Sequence, residues 1–550
     1  MANIMSLKSL RNKPSRNGFD LSFKKNFTAK AGELLPIMVK EVLPGDSFQI
    51  DLRSFTRTQP INTAAFARMR EYYDFFFVPY DLLWNKANTV LTQMYDNPQH
   101  ALSIDPTQSF QLTGEMPYIT AQSIANYLSR VQVGAASTTK NYFGYSRAKL
   151  SAKLLEYLGY GNFEPYTNGV NTSWSTAPLM SNLQFNAFGL LAYQKNYADF
   201  YRDSQWERIS PSTFNVDYLG GTGSMQLSLS ATAFTQNYNL FDLRYCNWQK
   251  DLFHGVVPNP QYGETASVPV TVTAATETTP ASAAFDVVLL RQYEFLQKWK
   301  EIAQSGNKDY KEQVEKHWNV SVGDGYSELC TYLGGSSSSI DINEVVNTNI
   351  TSDNAADIVG KGVGVSNGKI SFNSNGKYGL LMCIYHCLPL LDYTTDFVDP
   401  AFTKVNSADY AIPEFDRVGM QGVPFTHMTN PLKSVADASN LILGYAPRYI
   451  DYKTSFDCSV GAFKNSLSSW VMSYGNQSVV NQLGTPDENN RPSSTDGTPM
   501  NYTYFKVNPN SVNPIFAVEA DDTVGTDQFL CSTFFDVKVV RNLDTDGLPY

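Results

Sequence analysis

Three residues with metal-binding side chains lie close together in the sequence, at Cys383, His386 and Cys387. Thiolate and imidazole groups are common zinc ligands, and the C-x-x-H-C spacing resembles a short metal-binding motif. The surrounding apolar segment 378–391 predicts a β-strand, on which positions 383 and 387 share one face about 13 Å apart. His386 lies on the opposite face. We therefore predict packed core thiols here and no metal site.

Residues typical of catalytic sites show no recognisable arrangement. None of the five histidines lies in a G-x-S-x-G or H-E-x-x-H context that would activate a nucleophile or a metal-bound water. Glu519, Asp521 and Asp522 have the residue types of a glycosidase pair or a calcium site, but such a group on a loop usually forms a solvated turn. The glycine-rich segment 362–368 has the wrong spacing for dinucleotide binding. We predict no enzymatic activity and no cofactor.

The N-terminal part of the chain predicts β-strands. Runs at 35–42 and 47–52 flank Pro44-Gly45-Asp46, whose residue types suit a tight turn. The next run, 69–80, is too apolar for a strand with one wet face. Its aromatic residues are predicted to be buried on both faces, or to have one face in a core and the other against a neighbouring subunit. They are Tyr72, Tyr73, Phe75, Phe76 and Phe77.

Helical periodicity is confined to the middle of the chain. We predict helices at 146–158, ended by Gly159, and after Asn186, Asp286 and Asp309, where Asp309 and Glu312 match a capping box. Strand patterns return at 378–391 and 528–541. Strong β-runs at both ends, with helices and long loops between them, predict one β-sandwich with enlarged inter-strand loops.

The composition indicates a protein whose surface is largely used in contacts. Of its 550 residues only 17% are charged while 13% are aromatic, a balance typical of protein interfaces. The six cysteines suit free thiols in a reducing compartment. No secretion signal is visible at residues 1–10, and no apolar run approaches the roughly 20 residues of a membrane span. We expect synthesis and assembly in a cytoplasm, without membrane insertion.

Charge is unevenly distributed along the chain. The formal net charge is −10, yet residues 1–30 carry seven Lys and Arg against one Asp. A basic arm on an acidic body can neutralise phosphates while the body avoids them, although many termini of this kind are simply disordered.

Several sequence blocks occur in a collinear order that spans nearly the whole chain. They are FDLS at 19–22, PGD at 44–46, FFFVP at 75–79, AFGLLAYQKNYADFYR at 187–202, DLFHGVVPNPQYG at 251–263, LRQYEFLQKWKE at 290–301 and GYAPRYIDYK at 444–453. Together they resemble the major capsid protein of the Microviridae, the small tailless single-stranded DNA bacteriophages, and especially its gokushovirus-like branches.

The resemblance implies a mainly β fold, an eight-stranded antiparallel jelly-roll barrel or sandwich with long inter-strand insertions that contain a few helices. We expect a basic arm at 1–25 and one jelly-roll domain at 26–550, with insertions at about 85–375 and 475–510. The implied function is a coat protein that assembles as a homo-oligomer into a small icosahedral shell around circular single-stranded DNA. The implied location is the virion, assembled in the bacterial host cytoplasm.

Given the resemblance, we predict that cations of the arm face the shell interior and touch DNA phosphates without reading sequence. The predicted contacts are Lys8, Arg11, Lys13, Arg16, Lys24 and Lys25. Phe19, Phe23 and Phe27 either stack on unpaired bases or anchor the arm under a neighbouring subunit. Further implied partners are scaffold or minor virion proteins and a host-cell surface receptor. The alternatives are a monomeric β-sandwich that binds or cleaves carbohydrate, and another phage structural protein such as a spike.

Overall fold

One large antiparallel sheet contains both ends of the described chain. The computed structural model describes residues 14–63, 65–92, 116–132, 140–167, 182–218, 240–263, 266, 271–273, 282–284, 287–307, 309–323, 327–346, 358–428, 442–475 and 502–545. Within these residues the main sheet has nine strands. They are β1 (Asn17–Asp20), β2 (Phe23–Ala29), β3 (Leu35–Val42), β4 (Ser47–Thr58), β5 (Met69–Pro79), β10 (Thr331–Val346), β11 (Ile358–Asn373), β12 (Gly379–Pro389) and β17 (Phe529–Arg541), numbered in chain order with the shorter strands given below.

The strand order is β3-β12-β5-β10-β11-β4-β17, and β17 pairs along its free edge with β2 and then β1. All of these pairs are antiparallel, and the order is that of two interlocked Greek keys, as in a jelly roll. The sheet curls until its two edges approach one another. Evidence for this is that Lys40 Nζ on β3 lies 4.5 Å from the centre of the Phe23 ring on β2. The predicted mainly β barrel or sandwich is confirmed. The strand count exceeds eight because β1 and β2 share one edge of β17.

Two strands of the sheet lie inside the region predicted as an insertion at 85–375. These strands are β10 and β11, which pair with β5 and β4. Their small residues serve close packing rather than flexibility. A Cβ on Gly362 would lie 2.6 Å from Thr58 Cγ2, and one on Gly368 would lie 2.8 Å from Ser336 Cβ. The predicted arm at 1–25 likewise ends in sheet, since β1 and the first residues of β2 fall within it.

The aromatic strand β5 is enclosed by its own chain on both faces. Tyr73, Phe75, Phe76 and Phe77 are all buried. On one face the Phe75 ring packs against Phe535 of β17. On the other face Phe76 packs against Phe200 and Tyr201, with ring-centroid separations of 5.1 and 5.8 Å. Tyr72 is half-buried and stacks on His386 at 4.9 Å. Four of the five rings therefore pack inside the subunit, and Tyr72 remains partly exposed.

The helices lie between the strands at Ala87–Thr92, Ala121–Gln132, Arg147–Leu158, Phe188–Asn196 with a π-helical continuation at Tyr197–Tyr201, Val287–Gln304 and Tyr310–Trp318. Three of the predicted caps, Ser146, Gly159 and Asp309, are present, and Asp286 lies outside the described residues. The Glu312 side chain accepts a hydrogen bond from the amide of Asn307, so the predicted capping box with Asp309 is not completed. Ser146 and Asp309 accept hydrogen bonds from the first-turn amides of their helices, and Gly159 ends the first of these with a φ of 94°. Among the described helices, none is both long enough and apolar enough to cross a membrane.

A second hydrophobic core stabilises the part of the chain outside the barrel. Four short strand pairs lie outside the main sheet among the described residues. Three are antiparallel: β6 (Tyr118–Thr120) with β7 (Gln184–Asn186), β8 (Thr271–Thr273) with β9 (Ser282–Ala284), and β14 (Met420–Pro424) with β15 (Ile442–Pro447). The fourth, β13 (Asp392–Tyr393) with β16 (Ser473–Tyr474), is parallel. Phe253, Tyr393, Phe425, Leu443 and Tyr504 are buried together in this core.

Candidate nucleic-acid interface

The outer face of β2, β17 and β4 carries both cations and aromatic rings. Side chains alternate across a strand, and along β4 those of Phe48, Ile50 and Leu52 point into the barrel. The intervening outward positions include Arg53, Phe55 and Arg57, which are exposed. On β17 the same alternation leaves Leu530 and Phe534 exposed, while Phe535 and Val537 are buried. We call this outward surface of the three strands the basic sheet face.

The register of the strands places cations on both sides of one aromatic ring. Phe534 is directly opposite Lys24 on β2 and Arg53 on β4. Opposed residues on one face of a sheet have Cβ atoms about 4.5–5.5 Å apart, so the three side chains form one row. In the adjacent rows the Arg57 guanidinium carbon lies 5.1 Å from the centre of the Phe55 ring. Phe55 and Phe534 remain 39% and 41% exposed, so both side chains are accessible to a ligand.

Acidic residues lie toward the other end of the same face and are accompanied by cations. Asp51 is opposite Asp536 on β17 and Lys369 on β11. Arg53 and Lys538 each have a nitrogen 3.7 Å from one of these two carboxylates. The excess of positive charge is therefore concentrated around Lys24, Arg53 and Arg57.

Lys25 points away from this face and is bound within the subunit. Its Nζ donates a hydrogen bond of 2.9 Å to the carbonyl of Tyr157, at the end of the helix Arg147–Leu158. Burial lowers the pKa of Lys25 to about 8, and the nearby Glu156 only partly opposes this. The ammonium group therefore stabilises the contact between β2 and the helix rather than facing the open surface.

The six predicted DNA-contacting residues thus have different placements. Lys24 lies on the basic sheet face, Lys25 contacts the helix, and Arg16 is exposed near the start of β4 with Nη2 3.2 Å from Ser47 Oγ. Lys8, Arg11 and Lys13 fall outside the described residues. Sequence analysis missed Arg53 and Arg57. The alternation R-x-F-x-R within a strand was the signal that could have found them, once the direction of its side chains was known.

The phenylalanines of the arm pack into the subunit. The Phe23 ring stacks on Phe535 at 5.0 Å, and Phe27 is buried with its ring 5.0 Å from Tyr385. Phe27 therefore takes neither of the two predicted roles, base stacking or anchoring under a neighbouring subunit, because its own barrel already encloses this ring. Phe19 is half-buried against the same core.

The other candidate groups have structural surroundings. Cys383 and Cys387 are fully buried in the barrel, and burial raises the pKa of both thiols. Asp521 accepts hydrogen bonds from Thr523 and Thr526 within a turn, and Asp522 pairs with Lys149 at 2.8 Å. Among the described residues, no group of three or more His, Cys, Asp or Glu is arranged to hold a metal ion.

Comparison with known families gives this architecture an identity. A family model described as "Capsid protein (F protein)" matches residues 9–135 and 278–550. The chain belongs to this capsid protein family. The two matched segments include every one of the nine main-sheet strands found among the described residues, so the family match and the barrel coincide.

The sequence is also similar to two individual capsid proteins of bacteriophages. It is 22% identical over 604 aligned residues to the capsid protein VP1 of Chlamydia phage 1, covering 97% of this chain and 95% of the relative. A shorter match of 71 residues, 13% of each chain, is 35% identical to the capsid protein VP1 of Bdellovibrio phage phiMH2K. The predicted resemblance is confirmed, and the protein is a major capsid protein of the Microviridae type. Its family supports assembly into an oligomeric shell and a place in the virion.

Proposed function

We propose that this major capsid protein forms a small icosahedral shell around a circular single-stranded DNA genome, with its basic sheet face toward the DNA. The observation that carries the proposal is the row formed by Lys24, Phe534 and Arg53 on one exposed surface of a capsid-family barrel. Cations beside exposed aromatic rings are the combination that proteins use to bind single strands without sequence preference.

The chemistry of this face favours a single strand over a duplex. The rings of Phe55 and Phe534 can stack only on bases that are not already paired and stacked. Lys24, Arg53 and Arg57 supply charge for the phosphates, which accounts for sequence-independent affinity. The carboxylates of Asp51 and Asp536, which lie opposite each other, limit the positive surface to one part of the face.

The basic arm extends this role. Arg16 is exposed, and Lys8, Arg11 and Lys13 precede it in the sequence, so the arm adds four cations ahead of β1 in the sequence. We propose that they contact phosphates from the same side of the shell as the basic sheet face. We also propose that assembly takes place in the host cytoplasm with scaffold or minor virion proteins, and that outer loops bind a host receptor.

Electron microscopy of purified protein and of particles from producing cells tests the proposal, with nuclease-protected DNA measured on the same samples. We expect uniform small spherical shells that protect single-stranded DNA. A protein that stays monomeric with the genome and the auxiliary virion proteins supplied would refute shell formation. Empty shells under all of these conditions would refute the DNA-binding role alone.

A further inference from the structure

One loop of the capsid protein presents large apolar side chains to solvent. Between residues 401 and 418 every side chain is exposed except those of Lys404 and Ile412. Phe402 and Val405 are 83% and 81% exposed, and Tyr410, Phe415 and Val418 are between 48% and 62% exposed. We call residues 400–419 the apolar loop. Scattered exposed apolar residues are ordinary, but five of them within one segment, two of which are more than 80% exposed, are typical of an interaction surface.

The apolar loop has a defined conformation. Three 3-10 turns, Pro400–Thr403, Ser407–Asp409 and Pro413–Phe415, follow one another along it. The carboxylate of Asp409 accepts hydrogen bonds of 2.9 and 2.8 Å from the amides of Val405 and Asn406. Asp399 accepts another from the amide of Ala401. These local bonds fix the backbone that carries the exposed side chains, which reduces the entropy lost when a partner binds.

Ion pairs attach the apolar loop to the neighbouring segment of its own chain. Lys404 Nζ lies 2.5 Å from Asp451 and 3.6 Å from the centre of the Tyr452 ring. Lys453 Nζ lies 2.5 Å from Asp416. The remaining exposed charges are Asp409, Glu414 and Arg417, which leave one net negative charge. The surface offered to a partner is therefore apolar and close to neutral.

We propose that the apolar loop docks against a second copy of this chain in the shell. This inference rests on the proposed shell, because the capsid family supports an assembly in which neighbouring copies are the partner present at highest concentration. Complete burial of an aromatic side chain removes about 150–250 Å² from solvent, and Phe402, Tyr410 and Phe415 are still 48–83% exposed. With the two valines they can supply a substantial part of the roughly 800 Å² that one partner contributes to a standard interface. A near-neutral apolar surface also fits the core of such an interface, which is poor in charge.

Replacement of two apolar side chains tests the inference. In the variant Phe402→Ser/Val405→Ser both side chains are exposed in the subunit, so circular dichroism and the melting temperature of the free subunit should not change. We expect at least a tenfold higher protein concentration for half-maximal shell formation, measured by analytical ultracentrifugation and electron microscopy. Leu183→Ser/Val320→Ser is the matched control, because these side chains are 48% and 52% exposed outside the loop. It should assemble like the natural protein.

A second measurement uses the natural protein, so its result does not depend on the folding of a variant. Hydroxyl-radical footprinting of the natural protein should show Phe402, Tyr410 and Phe415 modified in free subunits and protected in shells. Natural protein that forms shells with these residues still reactive, or a loop variant that assembles at the natural concentration, would overturn the inference and leave the shell proposal intact. Protection only when another virion protein is added would assign the loop to that protein instead. Failure of the natural protein to form shells would overturn both proposals.

Discussion

Lys153 Nζ lies 2.9 Å from a carboxylate oxygen of Asp527, and both side chains are almost completely buried. The same ammonium group lies 2.7 Å from Glu33, and Lys30 lies 2.7 Å from Asp527. The four groups join the helix Arg147–Leu158, the segment between β2 and β3, and the residues just before β17. This network therefore ties an insertion helix to the place where the barrel closes.

Removal of the central cation should strongly destabilise the subunit. Lys153→Met leaves the carboxylates of Glu33 and Asp527 buried beside each other with one cation fewer. We expect a loss of about 3–5 kcal/mol in the free energy of unfolding, measured by urea denaturation of the free subunit. Lys149→Met on the same helix removes a partly exposed pair with Asp522 and should cost at most about 1 kcal/mol. Similar losses for the two variants would contradict the importance of the network.

The same network predicts acid sensitivity. Burial acts to raise the pKa of Asp527, but the charges of Lys153 and Lys30 outweigh it and hold that pKa below its usual range. A carboxyl whose pKa is lower in the folded state stabilises the fold above its unfolded pKa of about 4, and this stabilisation is lost as the pH falls through the folded value. We expect urea midpoints to fall more steeply below pH 4 for the natural subunit than for Asp527→Asn. Parallel pH profiles would exclude this role of Asp527.

Charge removal on the basic sheet face should weaken DNA binding without preventing assembly. Lys24→Gln/Arg53→Gln/Arg57→Gln removes three cations, and each phosphate contact on a single strand contributes about 0.7 to the slope of log affinity against log salt. The slope should fall by about 2, measured by titration of single-stranded oligonucleotides at several salt concentrations. Arg208→Gln/Arg291→Gln/Lys298→Gln makes the same charge change at exposed sites elsewhere and is the control. An equal decrease in both variants would indicate only the effect of net charge.

One cysteine should react with thiol reagents under native conditions. All six cysteines lie among the described residues as free thiols, and Cys458 is exposed while the other five are buried. Titration with a chromogenic disulfide should therefore show one fast thiol in the native subunit and six in denaturant. Cys458→Ser should abolish the fast phase. A fast phase that survives this substitution would mean that a buried thiol becomes accessible through local opening.

The sequence predicted strands and caps well where hydrophobic pattern and turn chemistry agree. The turn at Pro44-Gly45-Asp46, the buried parity of β17 from Phe529 to Val539, and the cap at Ser146 are examples. It did not predict β10 and β11, because their glycines and serines lack the usual strand pattern and fit only against specific partners such as Thr58. The basic sheet face was also missed, since Lys24 and Arg53 become neighbours only through β17. Long-range register of this kind is not encoded in any local pattern.

The position of β17 constrains how the polypeptide reaches its final form. This strand fills the gap between β2 and β4, and Lys30 beside β2 meets Asp527 beside β17 across 497 residues of sequence. Until β17 has been synthesised, β2 and β4 each have an unpaired edge, and closure of so long a loop is slow. The barrel can therefore be completed only after residues 529–541, which form β17, have been translated. We therefore expect the open edges of β2 and β4 to be the part of a nascent subunit that is most prone to pair with another chain.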